Sequence, residues 1–223
     1  STVSSGAAVT FAVKTDGTLW GWGTNSYGQL GTNNIIYRSS PVQVGTSTNW
    51  TNITTGGLST LATKTDGTLW AWGYNIYGEL GLNDFVYRSS PVQVGAKTTW
   101  LSSATASLSS FALNAPSLEA SNLWGWGENL DGELGQNNVI YRSSPVLISS
   151  RTAWSKLSAN SRTFLSVNAS GSLYGCGLNN RGQLGQNDIV SRSFPVQVGS
   201  LATWSFTTSG QAHSMAVKTD GTL

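Results

Sequence analysis

The chain has 223 residues, 39% of them hydrophobic, enough to bury on the order of 70% of its unfolded surface, which excludes a disordered polypeptide. Only 10% of residues are charged, 12 basic against 10 acidic for a net charge of +2, and no two basic residues are adjacent, so the phosphate-neutralising clusters of a nucleic-acid binder are missing. Cys176 stands alone, leaving no intrachain disulfide, and no run of about 18 apolar residues is present to span a bilayer.

The Ser-rich start shows neither the basic nor the apolar region of a signal peptide, and a start without Met reads as a processed or truncated product. The first elements are strands. Phe11 to Lys14 and Thr18 to Trp22 are β-rich runs joined through Thr15, Asp16 and Gly17, and Asp-Gly readily supplies the positive φ of a hairpin turn. The run Gly23 to Gly31, Gly-x-Asn-x-x-Gly-Gln-Leu-Gly, is too glycine-dense for a regular element and predicts a compact loop whose Leu30 plugs the core. A third extended run leads through Pro41 to Val44, and a fourth surrounds Trp50 and Ile53 at period two.

These elements recur. Trp50, Trp100, Trp154 and Trp204 are spaced by 50, 54 and 50 residues, and Pro41, Pro91, Pro145 and Pro195 keep the same intervals. All 10 Trp fall on three repeat positions, which marks them as architectural. The longer second interval comes from Asn114 to Asn122, a segment with Pro116 that reads as a surface loop. Approximate repeats are 1–49, 50–99, 100–153 and 154–203, with a partial repeat at 204–223, all in one domain. Four strands per 50 residues is the content of a β-propeller blade, so the expected fold is all-β, with four-stranded antiparallel blades.

Trp-Gly-x-Asn-x-x-Gly-Gln-Leu-Gly followed ten residues later by Pro-Val-x-Val resembles the regulator of chromosome condensation repeat. Copies stand at Trp22 to Gly31, Trp72 to Gly81 and Trp126 to Gly135, with a fourth at Cys176 to Gly185 in which Cys replaces Trp. Gly210, His213 and Ala216 are similar to the family's Gly-x-x-His-x-x-Ala strand; the other copies carry Val9, Ser59, Ser109 and Thr163 in place of the His. The resemblance implies a ring of about seven blades. About four blades plus a partial one are present, and a lone arc would leave unpaired β edges. The chain therefore reads as a segment of a larger ring, or as one that a second chain completes.

Catalytic chemistry is sparse, and the expectation is that the chain is not an enzyme and binds no cofactor or metal. Cys176 occupies a Trp position and reads as a packed apolar residue, and His213 as a structural group hydrogen-bonding on the inner strand. Asp16, Asp66 and Asp220 are turn residues. Glu79 and Glu133 alternate with Gln29 and Gln183 at one repeat site, which points to hydrogen bonding. Gly28 to Gly31 lacks the Lys-Ser/Thr of a phosphate loop, and the triplets at Asn49, Asn52 and Asn168 are too short to assign glycosylation.

Two surfaces remain as candidates. Ile35, Ile36 and Tyr37, then Phe85, Val86 and Tyr87, then Val139, Ile140 and Tyr141, then Ile189 and Val190 precede the Arg38, Arg88, Arg142 and Arg192 series. Either one residue of each pair points into a blade, or the pairs form an apolar rim; candidate interface residues are Ile36, Tyr37, Val86, Tyr87, Ile140, Tyr141 and Val190. Each Arg is expected to bond a loop carbonyl or an Asp. The loop positions that vary between repeats, Tyr27, Tyr77, Asp131 and Arg181, form a second candidate surface.

Low charge, Ser/Thr/Asn-rich loops and similar repeats favour a non-catalytic structural or adhesive module on a virion, appendage or cell surface. Its partners would be proteins, copies of itself or surface glycans, without nucleic acid or membrane insertion. The alternative, implied by the resemblance, is a cytoplasmic regulatory propeller of the guanine-nucleotide exchange or protein-inhibitor type.

Overall fold

The computed structural model describes residues 1–117, 120–149 and 153–223. Four antiparallel four-stranded sheets follow one another in the chain, and each is a meander in which consecutive strands pair. Blade 1 comprises β1 (Thr2–Ser5), β2 (Val9–Val13), β3 (Leu19–Gly23) and β4 (Arg38–Gln43). Blade 2 comprises β5 (Trp50–Thr55), β6 (Ser59–Lys64), β7 (Leu69–Gly73) and β8 (Arg88–Gln93). Blade 3 has β9 (Trp100–Thr105), β10 (Ser109–Ser117), β11 (Ala120–Gly127) and β12 (Arg142–Ser149), and blade 4 has β13 (Trp154–Asn160), β14 (Thr163–Asn168), β15 (Leu173–Gly177) and β16 (Arg192–Gln197). A two-stranded sheet of β17 (Trp204–Ser209) and β18 (Ser214–Lys218) begins a fifth blade. The first strands of successive blades, β1, β5, β9, β13 and β17, contact one another in that order.

The apolar core is divided among the seams between blades. Val9, Phe11, Leu19 and Leu30 of blade 1 pack with Trp50, Ile53, Ala62 and Trp72 of blade 2, and an equivalent cluster joins Leu61, Leu69 and Leu80 to Trp100, Ala112 and Trp126. Leu30, Leu80, Leu134 and Leu184, one per loop, are buried as the sequence leads one to expect. Trp50 meets Trp70 and Trp72 edge to face, and its indole N–H finds no acceptor among the described residues, so its contribution is ring packing. Lys14, Lys64, Lys97 and Lys218 lie over Trp rings, Lys64 at 4.0 Å from the Trp70 centroid. A third of the 12 basic residues thus sit on the fold's own aromatic rings.

One pair of bonds recurs at the first two seams. The carbonyl of Gln29 in blade 1 accepts from Trp72 Nε1 (2.9 Å) and Thr60 Oγ1 (3.1 Å) of blade 2. The carbonyl of Glu79 accepts in the same way from Trp126 Nε1 and Ser110 Oγ of blade 3, each at 2.8 Å. Gly31 makes the approach possible: its φ is +70°, and a Cβ there would lie 2.8 Å from Trp72 Nε1. At the next seam Phe164 and Cys176, cross-strand partners in β14 and β15, occupy the hydroxyl and indole positions, and both are fully buried. The bulky ring has moved to the opposite strand, which keeps the seam filled.

Two expectations are corrected. Of the segment Asn114 to Asn122, residues 114–117 and 120–122 are strand and not surface loop, because Asn114 pairs with Asn122 and Ser117 with Ala120, continuing β10 and β11 past a register shift; the two residues between lie outside those described. Asn114 itself is buried and accepts from Trp124 Nε1 at 2.8 Å, a role that Thr18 and Thr68 fill for Trp20 and Trp70. His213 is not on an inner strand. It stands exposed in the turn ahead of β18, its ring so close to Gly210 that a Cβ there would lie 2.4 Å away.

Candidate binding surfaces

The motif Asn holds the rim of each blade. Asn75 Oδ1 accepts from Leu80 N at 2.9 Å, while its Nδ2 donates to the carbonyls of Asp84 (3.1 Å) and Val86 (3.2 Å). Asn25, Asn129 and Asn179 repeat these bonds, and all four are completely buried. A single buried amide thus ties the glycine-rich loop to the segment preceding the outer strand. That segment is closed further by an Asx turn, in which Val86 N donates to Asp84 Oδ1 at 3.0 Å and Ile36, Ile140 and Val190 do likewise.

On these pinned loops both residues of every apolar pair face solvent. Ile35 and Ile36, Phe85 and Val86, Val139 and Ile140, and Ile189 and Val190 are 57–69% exposed, so the strand-like alternative, with one residue of each pair inside, does not hold. The flanking tyrosines differ: Tyr37 is 60% exposed, Tyr87 38%, and Tyr141 half-buried. The Arg series divides as well. Arg88 and Arg192 pair with Asp84 and Asp188 and donate to the carbonyls of Val86 and Val190, whereas blades 1 and 3 carry Asn34 and Asn138 where the Asp would stand.

The variable loop residues are largely occupied at the seams. Tyr27 packs edge to face on Tyr74 (5.0 Å) and Tyr87 (5.3 Å) of the next blade, and Tyr77 on Tyr141 (5.4 Å). Asp131 makes the third crossing as an ion pair with Arg162, which also binds Glu128 at 3.1 Å. Arg181 is exposed. The residues preceding these, Ile76 and Leu130 among them, carry the solvent exposure.

Among ionisable groups, Glu79 and Glu133 are fully buried, each with one carboxyl oxygen accepting from Tyr77 N or Asp131 N at 2.9 Å and the other without a partner among the described residues. Burial pushes both carboxyls up to about 7, with the charge of Glu128 adding in the same direction. Burial also raises the Cys176 thiol far above its usual range, which makes it a poor nucleophile. Among the described residues no group of three or more His, Cys, Asp or Glu could hold a metal ion, and no helix is long and apolar enough to cross a membrane.

The central surface was not anticipated from the sequence. The inner strands of all five sheets line a cavity of about 940 Å³ whose walls carry uncharged residues such as Ser4, Asn52, Thr54, Ser103 and Ser158. Thr54 Oγ1 and Ser103 Oγ bridge adjacent blades at 3.0 Å, and Ser158 Oγ donates to Ser209 Oγ at 3.3 Å. The available signal was the run of small hydroxyl residues in the first strand of each repeat.

The regulator of chromosome condensation (RCC1) repeat matches residues 16–63, 66–113 and 170–217, and a second form of the repeat matches residues 1–29. The chain belongs to the RCC1 repeat family. No curated protein sequence matches it. Its fold is similar to that of human WBSCR16, with a TM-score of 0.85, 21% identity, and coverage of 98% of this chain and 57% of that one. A structure of yeast RCC1 (Prp20) bound to Kap60 gives a TM-score of 0.59 at 15% identity, covering 98% of this chain and 68% of the other. The ectodomain of the Physcomitrella patens receptor kinase CR4 also gives 0.59, at 13% identity, covering 100% and 52%. The RCC1-repeat chain described here thus spans little more than half of the human protein's length.

Proposed function

We propose that this RCC1-repeat propeller is a non-catalytic structural or adhesive module of a virion, appendage or cell surface, acting through protein or glycan contacts. Propellers of this repeat are generally non-catalytic protein-interaction modules, which supports the first half of the reading. The observation that carries it is the apolar pair displayed once per blade on a loop held by a buried Asn. Such surface is preorganised, so little ordering entropy opposes a contact. Low net charge and uncharged, hydroxyl-rich walls fit a display role better than electrostatic capture of a charged ligand.

Labelled protein should bind intact source cells or a glycan array saturably, with at least a tenfold loss when Ile36, Val86, Ile140 and Val190 are all replaced by Ser. Equal binding by both proteins would remove the rim from the reading. The second reading, an intracellular regulatory propeller, draws on the yeast Prp20 structure, which is described with binding properties toward Gsp1p and histones. Specific acceleration of nucleotide release from a small GTPase would put that reading first.

A further inference from the structure

We infer that the apolar rim is a self-association surface, covered by a second copy of this chain seated rim to rim. The inference rests on the rim being a contact surface and adds the identity of its occupant. Eight side chains at 57–69% exposure present on the order of 900 Å², close to the ~800 Å² that each partner contributes to a standard interface. Monomeric proteins rarely expose contiguous apolar patches larger than a few hundred Å².

The exposed pairs of blades 1 and 2 belong to a connected surface. Ser26 Oγ hydrogen-bonds to the Tyr37 hydroxyl, and Tyr27 beside it packs on Tyr87, so contacts run from the Ile36 loop of blade 1 to the Val86 loop of blade 2. A partner that covers the whole rim must offer apolar knobs at the pitch and curvature of successive blades. The rim of a second copy has that pitch, and a two-fold axis sets the same apolar patch of two copies against each other. Charge opposes the pairing only weakly. Arg88 and Arg192 are neutralised by Asp84 and Asp188 within their own loops, Arg38 and Arg142 have no ion-pair partner among the described residues, and the whole chain carries only +2.

The test is the mass of the 223-residue protein by sedimentation equilibrium over about 1 to 100 µM, a range in which interfaces of this size commonly associate. The expected result is a dimer whose dissociation constant rises at least 100-fold in the I36S/V86S/I140S/V190S protein, with the unfolding temperature unchanged at concentrations dilute enough for both proteins to be monomeric, because these side chains are exposed. A second variant, F206S/M215S, alters exposed apolar residues of the two-stranded sheet and is expected to keep the dimer. A monomer throughout, a dimer that survives the rim substitutions, or a dimer lost only with Phe206 and Met215 would each overturn the inference. A monomer that still binds cells or glycans through its rim overturns the second copy alone and leaves the proposed function standing.

Discussion

The seams on either side of blade 3 have the same backbone geometry and different chemistry. Between blades 2 and 3, Trp126 and Ser110 both donate to the Glu79 carbonyl. Between blades 3 and 4, Phe164 and Cys176 fill the corresponding space, and the Cys176 thiol has the carbonyls of Gly132 (3.4 Å) and Arg192 (3.1 Å) as acceptors in place of the loop carbonyl that Trp126 uses. What persists from seam to seam is filled volume and strand register, whereas the identity of the donor is negotiable. Dense packing explains the priority, since an unfilled site loses dispersion contacts outright and a neutral hydrogen bond contributes only about 1 kcal/mol net.

The strongest way to break this comparison is to unlink the compensating pair. Phe164→Ser alone should cost about 4 kcal/mol through the cavity it leaves, and Cys176→Trp alone about 2 kcal/mol or more through overpacking. The double variant rebuilds the seam of blade 3 and should recover most of the loss in urea unfolding. Strictly additive costs would mean that the two positions do not compensate.

Acidity sharpens the comparison at a smaller scale. Glu79 and Glu133 stand where blades 1 and 4 carry Gln29 and Gln183, and all four accept from the backbone N–H two residues earlier. The folded carboxyls titrate near 7, above the 4.5 of an ordinary Glu, so the folded state retains protons that the unfolded chain has released. This stability is complete below about pH 4.5, declines as pH rises toward 7 and is gone above it. Each site is worth roughly 3 kcal/mol by that linkage. Glu79→Gln with Glu133→Gln should therefore flatten the unfolding temperature between pH 5 and 8; a variant with the slope of the parent would show that these carboxyls are not its source.

The smallest effect belongs to the rim ion pairs. Asp84→Asn converts blade 2 to the chemistry of blade 1, where Asn34 makes the same Asx turn, and should cost no more than about 1 kcal/mol. A larger loss in thermal unfolding would mean that the Arg88 pair holds the loop, displacing Asn75 from that role.

The period of Trp and Pro and the repeated Asp-Gly turn made the blades legible in the sequence, because both signals are local and recur. The apolar pairs were visible too, yet their exposure was not, since an Ile-Ile or Phe-Val step reads equally well as a buried strand until the Asx turn and the Asn amide are seen to hold it outside. Asn114 to Asn122 misled because Pro116 and an inserted length suggest a loop, while pairing with Thr99 and Trp124 decides its course. Tyr27, Tyr77 and Asp131 looked like free specificity residues because their partners lie 31 to 64 residues away. The Phe164 and Cys176 exchange did leave a signal: both departures from the repeat pattern fall in the same blade.

The bonds that close the loop side of each seam, to the carbonyls of Gln29, Glu79, Gly132 and Gln183, share a direction, with the carbonyl supplied by the earlier blade and the indole, hydroxyl or thiol by the later one. A junction of that polarity is indifferent to how many units precede or follow it. Duplicating one complete unit of about 50 residues would present a matching socket and plug at both new junctions, whereas half a unit would set two plugs face to face. Tolerance to changes in length is quantised in whole blades, and it resides in the order of donor and acceptor along the chain.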